Sequence, residues 1–400
     1  LIDKDSGDDS PRSAAKRHVM AAGNGGGGHA EEENEEDTLT ACSLNLGKVI
    51  IGAGVMALPA ALAFRTGLLL GAALLAAVAA VTYSTLAVLV DGASSVRGGA
   101  ASYAELTEAL LGKGARRVLQ AAIVVFCFGF EAVYLVIIVD VVVGPPPPAP
   151  CGGLACELVP GLRPARWAAV AAVSAFVVAP LLLLRRQEQL RALNSAGVGA
   201  VALLAASSLG LGAAQVARLG ASKALLPFLW PTAQGQGQGY GQGQEHGGGG
   251  GLQSGVSTVA ALLATVVPIL LASYIAHQSV LPLRPLLRPY TDRRMRGVCA
   301  RALAITFATY LALSVGAAAA FGGALEVDAL QNFSAEGIAA TGLLSRGSAA
   351  AAALSWAVRL AFLASLLGSL LLYFHPLRAG LAEIVFGGGD SAEEEEEEGG

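Results

Sequence analysis

Charge is what this 400-residue sequence has least of. Asp, Glu, Lys and Arg make up 14% of it, against roughly 25% in an average soluble domain. Hydrophobic residues reach 54% and the mean hydropathy is +0.59. So few charges cannot cover the surface of a water-soluble fold of this size, which excludes soluble enzyme folds and predicts an integral membrane protein. Histidine is scarce as well, with five in the chain, two of them (His18 and His29) in a polar leader. Neither a metal-ligand helix motif nor a phosphate-binding loop is present, so no catalytic constellation, no cofactor and no metal centre is expected. The acids that do occur crowd the two ends, at Glu31–Asp37 and Glu393–Glu398. Residues 1–37 therefore read as a disordered leader and 379–400 as an acidic tail, both cytoplasmic, around a transmembrane domain over 38–378.

Long apolar runs are abundant. A spanning helix needs about 20 mostly apolar residues, and eight stretches qualify: 41–64, 67–90, 118–143, 167–184, 193–214, 256–277, 299–321 and 350–374. The fold class expected is an all-α, multi-pass membrane protein. Basic residues in the loops divide about three to one when the N-terminus is placed in the cytoplasm, with the densest group at Arg284–Arg296, and this sets the orientation. Trp167, Trp230 and Trp356 then fall at outer span ends, as interfacial anchors do. Residues 231–255 are a Gly/Gln-rich outside insertion. Ser102-Tyr103-Ala104-Glu105 is a capping box that opens a short amphipathic helix on the inner surface. Two outside features fit the same orientation. Asn332-Phe333-Ser334 is a sequon for N-glycosylation. Cys151 and Cys156 can pair as a disulfide there or stay as two free thiols, because spacing alone does not fix their geometry.

The first span carries a motif that points two ways. Gly52-Ala53-Gly54-Val55-Met56-Ala57 matches the dinucleotide pattern G-x-G-x-x-A. Pro59 interrupts the helix that should follow, and the next carboxylate is as far off as Asp91, both of which oppose a nucleotide site. In a membrane the same residues let a helix unwind and expose N–H groups at the positive end of a half-helix, where a carboxylate can bind. The sixth span has its own interruption at Pro268 and Ser273 to His277. Broken helices five spans apart are the mark of inverted-repeat transporters; the bland alternative is glycines that simply let helices pack closely.

These residues resemble the amino acid/auxin permease family, and within it the branch similar to sodium-coupled neutral amino acid transporters. The resemblance rests on Gly52–Pro59, Ser102–Leu106 with Gly112, Phe128-Gly129 with Tyr134–Asp140, Pro180–Arg185, Pro268–Pro282, and Arg359-Leu360-Ala361 with His375–Arg378, in order along the chain. It implies a leucine-transporter-like inverted-repeat fold, here incomplete with about eight of eleven helices. It also implies a secondary transporter of small neutral amino acids, embedded in the lipid bilayer of the plasma membrane or a vacuolar or lysosomal membrane, with no nucleic-acid partner. Gly52, Ala53 and Gly54 would bind the substrate carboxylate, and the carbonyls near Ala272 and Ser273 its ammonium group, with Tyr274 as a further substrate-binding residue. The sequence departs from the branch where a sodium ligand is expected. Lys48 stands in place of an asparagine, and Leu367 and Ser369 in place of two threonines. Lys48, Ser369 and the intramembrane Glu131 are therefore the ion-coupling candidates, with a proton favoured over Na+. Lys48 either fills the cation's place or snorkels to the inner interface. A heptahelical receptor and a membrane-embedded enzyme are the competing classes. The loop charges oppose the first and the shortage of histidine the second.

Overall fold

The computed structural model describes residues 27–52, 54–144, 152–159, 162, 164–182, 187–230 and 264–386. Among them the secondary structure is helical, without strands. The principal elements are α1 (Gly27–Ile50), α2 (Gly54–Ala60), α3 (Leu68–Ser95), α4 (Tyr103–Leu111), α5 (Lys113–Val143), α6 (Arg166–Val173), α7 (Gln187–Leu219), α8 (264–272), α9 (His277–Val280), α10 (Asp292–Phe321) and α11 (Ala349–Phe386).

Six helical segments are long and apolar enough to cross a bilayer: Leu68–Ser95, Lys113–Val143, Ala196–Leu219, Ala264–Leu286, Asp292–Ala324 and Ala349–Val385. The pair Glu36–Ile50 and Gly54–Thr66, bent by 67° at the break between them, is apolar enough to form a seventh, broken span or a re-entrant loop. Of the fourth expected span, 167–184, the described part is an apolar helix, Arg166–Leu181, whose middle turns widen into a π-helix at Ser174–Val178, and residues 183–184 lie outside the described residues. Large apolar side chains such as Val88, Val125, Phe128 and Phe176 are exposed along these helices. That surface suits lipid and would be costly in water. The chain is an all-α, multi-pass membrane protein.

Two boundaries move outward from those expected. The first helix begins at Gly27, inside the stretch read as a leader, because a run of glutamates is compatible with helix. The last helix continues through Pro376 to Phe386. The Gly/Gln-rich segment 231–255 and the tail beyond Phe386 lie outside the described residues.

Helices α7 and α10 form the spine and approach closely because glycines face each other. A methyl group built on Gly212 would lie 2.7 Å from the Gly316 carbonyl, and one on Gly316 would lie 2.7 Å from the Leu209 nitrogen. Ser208 Oγ closes this contact by donating to the Leu313 carbonyl at 3.1 Å. Small residues at such a crossing gain the van der Waals contact that drives helix association in lipid. Helix α11 packs on α7 and α5, and α1 and α3 pack on α10. The capping box forms as the sequence indicates: Ser102 Oγ accepts from Glu105 N at 3.1 Å, and the Glu105 carboxylate accepts from Ala101 N at 2.9 Å.

Polar clusters tie the elements together at both ends of the bundle. At one end, Arg284 donates to the Ala100 carbonyl at 2.9 Å and stacks over Tyr290, while Asp292 accepts from Ser94 and Tyr290. At the other, the buried Arg359 pairs with Glu157 at 2.6 Å and donates to the carbonyls of Gly152 and Val141. Arg166 pairs with Asp140 nearby.

Candidate substrate and ion site at two helix breaks

The site is built where two helices stop. Helix α1 ends at Ile50. Ile51 N still bonds to the Gly47 carbonyl, but Gly52 N turns back to Ile50 at 2.8 Å and the helix resumes only at Gly54. Gly52 and Gly54 make the unwinding cheap, and Pro59 removes a further donor in the segment that follows. Helix α8 ends at Ala272. Ser273 and Tyr274 form a turn, Ile275 and Ala276 are irregular, and α9 starts at His277. Unwound backbone at this depth is tolerated where it is buried in protein or lines a cavity.

The two breaks touch. A methyl group on Gly54 would lie 2.7 Å from Ser273 Oγ, and one on Gly52 would lie 2.5 Å from the Tyr134 hydroxyl on α5. Any side chain at either position would collide. The fully buried Tyr310 on α10 reaches both breaks at once, its hydroxyl lying 3.1 Å from the Ile50 carbonyl and 2.7 Å from that of Ser273. Tyr274 packs edge-on against the Tyr310 ring, and its own hydroxyl is buried without a hydrogen-bond partner among the described residues. The structure thus brings Gly52, Gly54, Ala272, Ser273 and Tyr274 into one region, whereas Ala53 lies outside the described residues.

Lys48 is 2% exposed and does not snorkel. Its Nζ donates to Ser369 Oγ at 2.6 Å and to the Ser365 carbonyl at 3.3 Å, both on α11. Its stem lies against Gly197 of α7, where a methyl group would stand 2.3 Å from Cε. The side chain therefore occupies a slot between α1, α7 and α11, one turn below the first break. Glu131 on α5 is also buried, and its Oε1 has no hydrogen-bond partner among the described residues. It sits beside an aromatic layer between α5 and α11, in which Phe130 stacks on Tyr373 at 5.3 Å and Tyr134 lies 5.7 Å from the same ring.

Sequence reasoning missed Tyr310, Tyr134, Ser365 and Gly197. Tyr134 belongs to a quoted motif that carried no role, and Tyr310 stands in an Ala/Leu-rich span with no local pattern to mark it. Asn332 of the sequon lies in the connection between α10 and α11. It is 5% exposed, with Nδ2 donating to the Ala324 carbonyl and Oδ1 accepting from Glu326 N, both at 2.8 Å. In the folded chain this amide is used as an internal brace. Cys156 is disulfide-bonded, Cys151 lies outside the described residues, and Cys42, Cys127 and Cys299 are free.

Comparison with known proteins bears on the family. The family model described as "Transmembrane amino acid transporter protein" matches residues 35–397. "Amino acid transporter AVT6B" of Arabidopsis thaliana is 25% identical over 347 residues, covering 86% of this chain and 67% of that protein. "Vacuolar amino acid transporter 5" of Schizosaccharomyces pombe is 34% identical over 148 residues, covering 37% of this chain and 33% of that protein. No solved structure matches. With the family model matching nearly the whole apolar region, the chain belongs to the transmembrane amino acid transporter family.

Proposed function

We propose that the chain moves small neutral amino acids by alternating access, without sodium, driven by a proton. The observation that carries the reading is the meeting of the two breaks, Gly54 against Ser273, with Gly52 beside Tyr134. Half-helix ends at mid-bundle offer N–H groups to a carboxylate and free carbonyls to an ammonium group, which is the polar half of every α-amino acid. The glycines leave room for backbone approach, and the tight surroundings favour a small, uncharged side chain on the substrate. A site made of backbone dipoles binds and releases; it needs no covalent chemistry, which favours a transporter over an enzyme or a receptor.

The coupling proposal rests on Lys48. An ammonium group has no lone pair to offer a sodium ion. Bonded to Ser369 and the Ser365 carbonyl, it takes the oxygens that a cation would use, and its charge repels a second cation in the same slot. Glu131 is the proposed proton carrier, a buried carboxyl one turn from Tyr134 at the first break. The inverted-repeat architecture, the cytoplasmic N-terminus supported by the loop arginines, and a vacuolar-type membrane suggested by the yeast relative's name complete the reading.

The test is uptake of labelled alanine by the chain in sealed vesicles, with sodium replaced by choline and with an imposed pH gradient. Uptake that persists in choline and follows the gradient supports the proposal. Strict sodium dependence refutes the coupling, and no uptake or binding of any neutral amino acid refutes the substrate class.

A further inference from the structure

Tyr310 has one hydroxyl proton and two acceptors. The carbonyl oxygens of Ile50 and Ser273, one from each helix break, converge on its oxygen at 3.1 and 2.7 Å. Those are the separations at which an ammonium nitrogen would meet carbonyl oxygens. A phenol can donate to only one acceptor at a time, whereas an ammonium group has three N–H bonds and can satisfy both. The Ile50 carbonyl is further occupied by Gly52 N at 2.8 Å, so Ser273 is the acceptor with the greater need of a donor. Around this point the surroundings are dry. Tyr310, Ser273 and Tyr274 are each at most 1% exposed, and the Tyr310 ring is held edge-on against Tyr274 at 5.6 Å.

We infer that the Tyr310 hydroxyl holds the place of the substrate's ammonium group while the site is empty, and that the substrate must displace it to bind. The inference rests on the proposed binding of amino acids at the two breaks and adds a residue from α10 that no sequence motif marks. Without the Tyr310 hydroxyl, the buried Ser273 carbonyl would lose the donor that it has in the structure, at a desolvation cost. The tyrosine relieves that cost and pins the half-helices together. An arriving ammonium group replaces one shared hydrogen bond with two charge-assisted ones, and the Tyr310 ring must swing away from Tyr274 or α10 must draw back. Tyr310 is thus a positioning residue that lowers affinity for every ligand carrying an ammonium group and leaves ligands without one unaffected.

The experiment compares wild type and Tyr310→Phe, as the full chain in lipid nanodiscs, for binding of alanine and of propionate, which lacks the ammonium group. The phenylalanine keeps the ring and removes the competitor. Alanine affinity is expected to rise about 5-fold, the equivalent of one ordinary hydrogen bond, while propionate affinity changes less than 2-fold. An unchanged or weakened alanine affinity, or an equal shift for both ligands, overturns the inference. A measurement without any variant covers the case of a misfolded Phe chain. Alanine added to wild type should move tyrosine absorption to shorter wavelength as the hydroxyl leaves its carbonyls, and propionate should not. The absence of that shift under saturating alanine overturns the inference as well. Gly54→Leu separates the two layers: alanine binding that survives it refutes the site itself, whereas binding that it abolishes, with Tyr310→Phe neutral, refutes only the role of Tyr310.

Discussion

Replacing Lys48 with Met should make Ser369 expendable. The stem keeps nearly its volume in the slot against Gly197, so the change removes a charge more than it opens a cavity. Two effects oppose each other. The ammonium group's bonds to Ser369 Oγ at 2.6 Å and the Ser365 carbonyl at 3.3 Å are charge-assisted, and such bonds contribute about 1.5–3 kcal/mol each. Burying the charge costs several kcal/mol even after relaxation. With no carboxylate bonded to it among the described residues to offset that cost, the two effects nearly cancel, and Lys48→Met should alter stability by no more than about 1 kcal/mol. Ser369→Ala acts differently. It strips the shortest partner from a charge that stays buried, and should cost about 2 kcal/mol in the wild-type background. In the Met background the same substitution should cost close to nothing, since Ser369 then bonds only to its own helix at the Ser365 carbonyl. The double-mutant cycle in detergent, read by thermal unfolding, therefore predicts a coupling of about 2 kcal/mol. Equal costs of Ser369→Ala in both backgrounds would falsify the claim that this pair fills the slot. The functional counterpart is Lys48→Asn, which returns an oxygen ligand and should create a sodium dependence of uptake absent from wild type.

The membrane class was legible because a shortage of charge and long apolar runs leave few other solutions, and these signals survive without any knowledge of neighbours. The break positions were legible for a local reason: Gly52, Gly54 and Pro59 weaken helix wherever they stand, and so does the polar run Ser273 to His277. What could not be read was convergence. Tyr310 acts through a carbonyl 260 residues away in sequence and another 37 away, and neither distance leaves a periodic trace. Lys48 had two readings in the sequence, a filled cation slot and snorkelling, and only the contacts with α7 and α11 separate them. The surroundings of Asn332 were not legible because a three-residue sequon is silent about burial; the two hydrogen bonds that occupy its amide come from residues upstream of it in the same connection. The π-helical turns of the fourth span were not legible either, because composition cannot report a local widening of the helix.

The remaining expectations can be checked on the same preparations. Gly52→Leu and Gly54→Leu should abolish amino acid binding while the protein still inserts, because a side chain would overlap Tyr134 or Ser273; retained affinity for either variant would remove the site from the breaks. Asn332→Ala should lower stability by about 1–3 kcal/mol through two lost buried hydrogen bonds, and endoglycosidase should not shift the wild-type band; a mobility shift would give the sequon back its sugar. The last expectation concerns pH. Asp328 lies in the connection between α10 and α11, and its carboxylate accepts from Leu330 N at 3.0 Å. Burial, foremost, and then the nearby Glu326 raise the Asp328 carboxyl above the ordinary range, against the hydrogen bonds it receives. A carboxyl whose folded pKa exceeds its unfolded one binds protons more readily in the native state, so folding strengthens as pH falls. The penalty is absent below the unfolded pKa of about 4 and complete once pH passes the raised folded value. Asp328→Asn keeps the oxygen that accepts from Leu330 and removes the charge. It should therefore melt higher than wild type at neutral pH, and the gap should close as pH falls towards 4. A gap that stays constant or widens on acidification would show that the Asp328 carboxylate is not strained by its burial.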